Sequence, residues 1–251
     1  MEKLSLVKRL YIASAFVAGM VALITGCNDS PQTLVLSGDI VGYSTLCDLN
    51  GNPIPNDTGI TVSVEGKNLT ATTNSLGQWD LAGLTTGIYN IDISKSGYGS
   101  RKILDFQFVG GGQADAGNVG LYQIPSYSVT KLSDTVENTI VYISGIFSGP
   151  LPTDLMFASL YLFLDTVPSV SSDPKKYLAS TSITNAADTS FSAGINPTYL
   201  QKSGFSGGQT IYMVAYASSA NPVGYTDFET GNQVFTGLNP TASNVVSFKM
   251  P

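Results

Sequence analysis

Histidine is absent from these 251 residues, and cysteine occurs only twice. Without an imidazole the chain lacks the commonest general base and the commonest nitrogen ligand for metals. Serine–histidine triads and histidine-bearing zinc sites are thereby excluded. Two cysteines cannot build a disulfide framework. Charge is scarce as well: 12% of residues are charged and the formal net charge is −6. Removing residues 1–26, which hold Lys3, Lys8, Arg9 and Glu2, leaves nine basic against seventeen acidic residues. Beyond that point basic residues adjoin only at Arg101-Lys102 and Lys175-Lys176. This is no footprint for a phosphate backbone, so nucleic acid is not an expected partner. The full chain is rich in Thr, Ser, Asn and Gly, with 13 Tyr and 11 Phe, a composition suited to β-structure outside the cytoplasm.

The basic residues Lys3, Lys8 and Arg9 precede a run from Leu10 to Ile24 whose only polar groups are the Tyr11 and Ser14 hydroxyls. A membrane-crossing helix needs roughly 20 apolar residues. This run is shorter and ends in small residues, as the core of an export signal does. It closes on Leu23-Ile24-Thr25-Gly26-Cys27, which resembles the lipobox of bacterial lipoproteins. The resemblance implies cleavage before Cys27 and lipid on its thiol, anchoring the protein in the cell envelope, with the outer membrane expected, either periplasmic or surface-exposed. A palmitate-bearing anchor of two or three chains would hold durably, because one chain alone gives marginal binding. The alternatives are an ordinary signal peptide with a chance cysteine and an uncleaved anchor helix. Residues 27–33 then form a polar tether. If Cys27 carries lipid, Cys47 has no partner within the chain, and beside Leu46 it reads as a small buried hydrophobe.

From Leu34 onward, short alternating runs separated by Gly, Asn, Asp and Pro predict an all-β protein of two consecutive antiparallel β-sandwich domains, residues 34–123 and 124–251. Ile60, Val62 and Val64 alternate with polar residues, as do Trp79 and Leu81, then Tyr89, Ile91 and Ile93. Turn chemistry lies between them at Asn50-Gly51-Asn52-Pro53, Asn74-Ser75-Leu76-Gly77 and Thr85-Thr86-Gly87. In order and spacing, these segments with Ser37-Gly38-Asp39-Ile40-Val41 and Lys95-Ser96-Gly97-Tyr98 resemble a carboxypeptidase regulatory-like domain, the transthyretin-like sandwich. The resemblance implies seven or eight strands, no catalytic residues, and a scaffolding or docking role beside another module. The acidic first turn Cys47-Asp48-Leu49-Asn50 and the glycine run Gly110-Gly111-Gly112 depart from that family's pattern.

After a boundary near Gln123-Ile124-Pro125-Ser126, new strands are expected over 127–132, 139–147, 157–167, 177–183, 190–195, 209–217 and 245–250. Their number suits a second sandwich, immunoglobulin-like or fibronectin type III-like. Asn196-Pro197 would open one short helical turn.

Candidate sites are few. Asp80 and Asp92 fall on solvated strand faces, where an acid keeps an edge soluble. No acid pair has the look of a glycosidase, and no catalytic residue is assigned. Asp48, Asn50, Asn52 and Asp57 offer alternating oxygens, but Asx hydrogen bonds of a turn account for them as well as calcium does. The run Gly110–Gly112 lacks the following helix of a phosphate loop and reads as a flexible hairpin loop. Asp134-Thr135-Val136 and Asp165-Thr166-Val167 resemble a three-residue O-glycosylation acceptor pattern of some Gram-negative bacteria, a pattern short enough to arise by chance. Tyr225, Phe228 and Phe235, in a Gly- and Asp-bearing stretch, form the best aromatic platform for a sugar, with core packing the competing and favoured reading.

The expected role is therefore non-enzymatic, without cofactor or metal: a lipid-anchored protein that binds or scaffolds through the membrane, a glycan or another envelope protein. The alternative is a carbohydrate-binding accessory of a surface nutrient-uptake system. Cys27→Ala is expected to move the protein from the detergent phase to the aqueous phase in a partitioning assay; persistence with membranes would remove the anchor.

Overall fold

The computed structural model describes residues 35–186 and 188–251. The export segment, Cys27 and the tether lie outside them. Among the described residues no helix is long and apolar enough to cross a membrane. Strand dominates, as expected.

Seven strands, β1 (Ser37–Cys47), β2 (Thr61–Val64), β3 (Thr70–Thr72), β4 (Gln78–Thr85), β5 (Gly87–Ser94), β6 (Arg101–Phe108) and β7 (Gln113–Tyr122), make the first sandwich. Its sheets have the orders β4-β1-β7 and β3-β2-β5-β6. Strand alternation does the sorting. Ile40, Leu46, Trp79, Leu81 and Leu121 point inward from one sheet, and Val62, Val64, Tyr89, Ile91 and Ile93 meet them from the other. Trp79 donates from Nε1 to the buried Ser44 Oγ at 3.1 Å, which satisfies its one polar atom. Room for the indole comes from Gly42, where a Cβ would stand 2.4 Å from the ring.

One pairing departs from the antiparallel expectation. β1 and β7 run parallel, from Asp39 beside Gln113 to Cys47 beside Tyr122. A parallel pair has no hairpin solution and needs a long crossover, here the whole of β2 to β6. The glycine run Gly110–Gly112 is accordingly not a hairpin loop. It carries the chain from β6 in one sheet to β7 in the other. Its close approach to β1 requires glycine: a Cβ on Gly110 would lie 2.5 Å from the Leu36 carbonyl oxygen.

The second half contains β8 (Val129–Glu137), β9 (Ile140–Phe147), β10 (Phe157–Asp165), β11 (Ala179–Ala186), β12 (Ser190–Ile195), helix α1 (Pro197–Lys202), β13 (Thr210–Ser218), β14 (Val223–Thr226), β15 (Gln233–Phe235) and β16 (Val246–Lys249). Sheets β12-β9-β8 and β11-β10-β13-β16 face each other. Val141, Ile143 and Phe191 pack against Leu160, Leu162, Leu164, Met213 and Phe248. The helical turn starts as its sequence suggests, with the Asn196 side chain accepting from Thr198 N at 2.8 Å and Pro197 opening the turn.

β10 is buried on both faces, which a two-layer sandwich does not require of a strand. Its second face meets a separate cluster of Phe163, Val170, Tyr177, Val214, Tyr216 and Leu238. Phe235 packs on this cluster, its ring 5.0 Å from Phe163 and 4.7 Å from Tyr161. The unexpected β14–β15 hairpin thus roofs the sheet as a partial third layer.

Each half has its own core, yet Leu36–Pro251 forms one compact unit. The joint is polar. Arg101 donates to Gly120 O at 3.2 Å and to Asn221 O at 2.9 Å. Thr236 donates to Ser100 O, and Asn239 to Pro125 O. The Asn50 amide donates to Asp154 O and accepts from Met156 N. Burial lowers the Arg101 pKa.

Leu81→Ala should cost about 2–5 kcal/mol of stability by chemical denaturation, because its site is fully enclosed. Leu76→Ala, at a side chain 70% exposed, should stay within about 0.5 kcal/mol.

Candidate functional site

The three aromatics of the predicted platform separate in the structure. Phe235 belongs to the aromatic roof over β10, so it is corrected from a ligand contact to a packing residue. Its apolar neighbours outweigh anything an exposed ring could gain there. Tyr225 is half-buried, and Phe228 is 70% exposed. These two line an open cleft of about 270 Å³ with Glu65, Asn90, Lys102, Leu104, Thr226, Asp227 and Glu229.

Opposite ends of the chain meet here. The hairpin root is fixed by Phe235 and by Tyr177, whose hydroxyl donates to Gln233 O at 2.7 Å. Its tip is shaped by Asp227, whose carboxylate accepts from the backbone N and the hydroxyl of Thr230 at 2.9 and 2.7 Å. Asn232 ties that tip to the β10–β11 connection by donating to Pro174 O and Tyr177 O. The Lys175–Glu229 ion pair adds an exposed contact. So held, β14 lies along β6 and sets the Tyr225 ring over Lys102, with Nζ 5.2 Å from the ring centre.

The floor of the cleft is a charged network. Lys102 Nζ lies 3.1 Å from Glu65 Oε1 and 3.2 Å from Asp92 Oδ1. Asn90 Nδ2 donates to Glu65 Oε2 at 2.8 Å. The strand ladder fixes this placement, since Asp92 stands directly opposite Lys102 across β5 and β6. Hydrogen bonds from Asn90 and then Lys102 hold the Glu65 carboxyl below its usual range. Burial works against charge on Lys102, but its bonds to Glu65 and Asp92 win and raise its pKa. The pair thus favours Glu65 as the carboxylate and Lys102 as the ammonium. An ionised carboxylate, an ammonium and an amide offer hydrogen bonds to hydroxyls, beside an aromatic face able to stack on a sugar ring.

Other sequence candidates resolve into structure. Asp48 accepts from Asn52 N at 2.8 Å and closes its own turn, and Asp57 accepts from Leu46 N at 2.7 Å and ties its loop to β1. Among the described residues no three metal-ligating side chains gather. Cys47 is buried and free, and burial raises its thiol pKa. Thr135 is exposed on β8; Thr166 is half-buried and donates to Asp165. Two larger concavities, about 420 Å³ across β8, β9 and β12 and about 380 Å³ between β11 and β12, have mixed small polar and apolar linings. Neither combines charge with an exposed ring.

Sequence reading missed Glu65, Asn90 and Lys102 as partners of Tyr225. The available signal was modest: Asn90 and Asp92 share the polar face of one alternating strand, and Arg101-Lys102 is a rare basic pair. Nothing local reveals that a hairpin over 120 residues later covers them.

No family model matches the sequence, and no curated protein matches it. Among solved structures it is similar to a chain of a type II cohesin–X-dockerin complex from Acetivibrio cellulolyticus, at 18% identity and a TM-score of 0.30, over 34% of this chain and 58% of that one. The chain thus spans less than two thirds of that relative's length. A DUF3823 family protein from Parabacteroides merdae aligns over 85% of this chain and 99% of its own, at 13% identity and a TM-score of 0.32. The major pilin SpaD from Corynebacterium diphtheriae aligns over 85% of this chain and 65% of its own, at 12% identity and a TM-score of 0.28. Likeness this distant carries no argument about role.

Lys102→Met should raise the Glu65 carboxyl pKa toward its ordinary 4.5, only part of the way because Asn90 remains. Carbon-detected NMR titration reads it. The depressed carboxyl contributes stability that is complete above 4.5 and fades as pH falls through the lower folded value. The variant should therefore lose less stability on acidification than the parent.

Proposed function

We propose that this is a non-enzymatic, lipid-anchored envelope protein, with its first half a carboxypeptidase regulatory-like scaffold, and that it binds a glycan in the cleft between β6 and the β14–β15 hairpin. One observation carries the reading. Phe228, an aromatic ring 70% exposed, shares a cleft with Tyr225 and with the ionised Glu65–Lys102 network. An exposed phenyl ring next to fixed donors and acceptors suits a ligand that is apolar on one face and hydroxylated at its rim. The seven-stranded first sandwich supports the scaffold assignment, and the lipobox-like sequence at Cys27 supports the anchor.

Phe228→Ala should weaken glycan binding by about tenfold or more, corresponding to roughly 1.4 kcal/mol, with the melting temperature unchanged because the ring is exposed. Tyr225→Ala should weaken binding too, at some cost in stability through its contact with Lys102. A glycan array followed by calorimetry measures both. Reproducible turnover of a glycoside or peptide by the parent, or array binding indifferent to Phe228→Ala, would defeat the proposal.

A further inference from the structure

Three segments meet at the end of the first sandwich where the chain enters it. Thr86, in the β4–β5 turn, donates its backbone N–H to Leu36 O at 2.9 Å and its hydroxyl to Val109 O at 2.8 Å. The start of β1, the β4–β5 turn and the β6–β7 connection are thereby stitched together. Each projects an apolar side chain into solvent: Leu36 is 40% exposed, Ile88 64% and Val109 75%. Residues 85–90 and 107–113 carry no charge in a chain that is otherwise acidic, and the glycines beyond Val109 add no polar side chain. Charge comes near this end from Asp39, whose carboxylate accepts from Gly83 N, from Asp105, whose N–H donates to Asn90 Oδ1, and from the β2–β3 turn, as Glu65, already paired with Lys102, and Lys67, whose ammonium lies over the Tyr89 ring at 5.4 Å.

We infer that this end of the sandwich is a membrane-docking surface, with Leu36, Ile88 and Val109 seated in the headgroup–acyl boundary of a phospholipid bilayer. The inference rests on lipid at Cys27. The nine Cα-to-Cα steps from Cys27 to Leu36 span at most about 32 Å, so the entry end stays within that reach of the bilayer that holds the lipid. Scattered exposed apolar residues are ordinary. Uncharged loops that project three apolar side chains at the point where an acylated tether arrives have a defined apolar surface within reach. Anchored at Cys27, the docking becomes intramolecular, so even weak insertion is populated. The far end provides the contrast: Leu76, equally apolar and 70% exposed, lies in the β3–β4 turn beside Ser44, toward the opposite end of β1.

The test uses the full lipidated chain in phosphatidylethanolamine–phosphatidylglycerol vesicles, with bimane placed in turn at Ile88→Cys, Val109→Cys and Leu76→Cys. Mass spectrometry of Cys27 accompanies each sample. Docking requires a blue-shifted emission at positions 88 and 109 that brominated lipid quenches at least about twofold, and neither effect at 76. Lipid on Cys27 with positions 88 and 109 as unquenched as 76 overturns the docking alone. Equal quenching at all three positions overturns it too, because the protein would then have no preferred end. An unmodified Cys27 overturns the anchor, and the docking with it.

Discussion

β1 and β7, the first and last strands of the first sandwich, lie side by side and run in the same direction. That constraint decides more of the molecule than any single contact. Antiparallel neighbours would bring the chain out where it came in. Parallel ones make it enter at Leu36 and leave at Tyr122, at opposite ends of a strand whose eleven residues cover about 36 Å at 3.3 Å each. The hydrogen bonds that tie the two halves gather toward the exit, Arg101 on Asn221, Thr236 on Ser100 and Asn50 on Asp154 and Met156, while Tyr225 over Lys102 joins them along β6. The entry end keeps its uncharged loops.

The cleft depends on a second constraint, the burial of β10 on both faces. Phe163 requires cover as complete as that of Leu162 or Leu164, and Phe235 with Tyr177 supplies it. In roofing the sheet, the hairpin that carries Phe235 extends past the edge of its own half and places Tyr225 against Lys102. Packing energy at the hairpin's root thus sets the position of the polar and aromatic groups at its tip. The Asp227 turn and the Asn232 bonds leave that tip little freedom.

Much of the fold was legible because period-two alternation reports burial directly. Tyr89, Ile91 and Ile93, Trp79 and Leu81, and the capped turn at Asn196 are where their neighbours in sequence put them. Alternation does not report which strand lies beside which. The parallel pair, the crossover at Gly110–Gly112 and the pairing of residue 65 with residue 102 are decided by tertiary packing at long sequence separation. Phe235 and Phe228 show the same limit from another side. Seven residues apart in one polar stretch, they look equivalent in sequence, and only the location of Phe163 makes one of them core and leaves the other in water. Cys27 stands apart: its reading comes from local sequence and lies outside the described residues.

The β1–β7 ladder also fixes how the molecule would bear force. Tension applied between the entry and exit ends pulls the start of β1 one way and the finish of β7 the other. Those two strands are adjacent and parallel, so the load falls along the strand axis on every rung from Asp39–Gln113 to Cys47–Tyr122 at once. Rungs loaded in shear must yield together, whereas a hairpin pulled from its open end unzips one bond at a time. The first sandwich is therefore built to resist extension along the axis shared by β1 and β7.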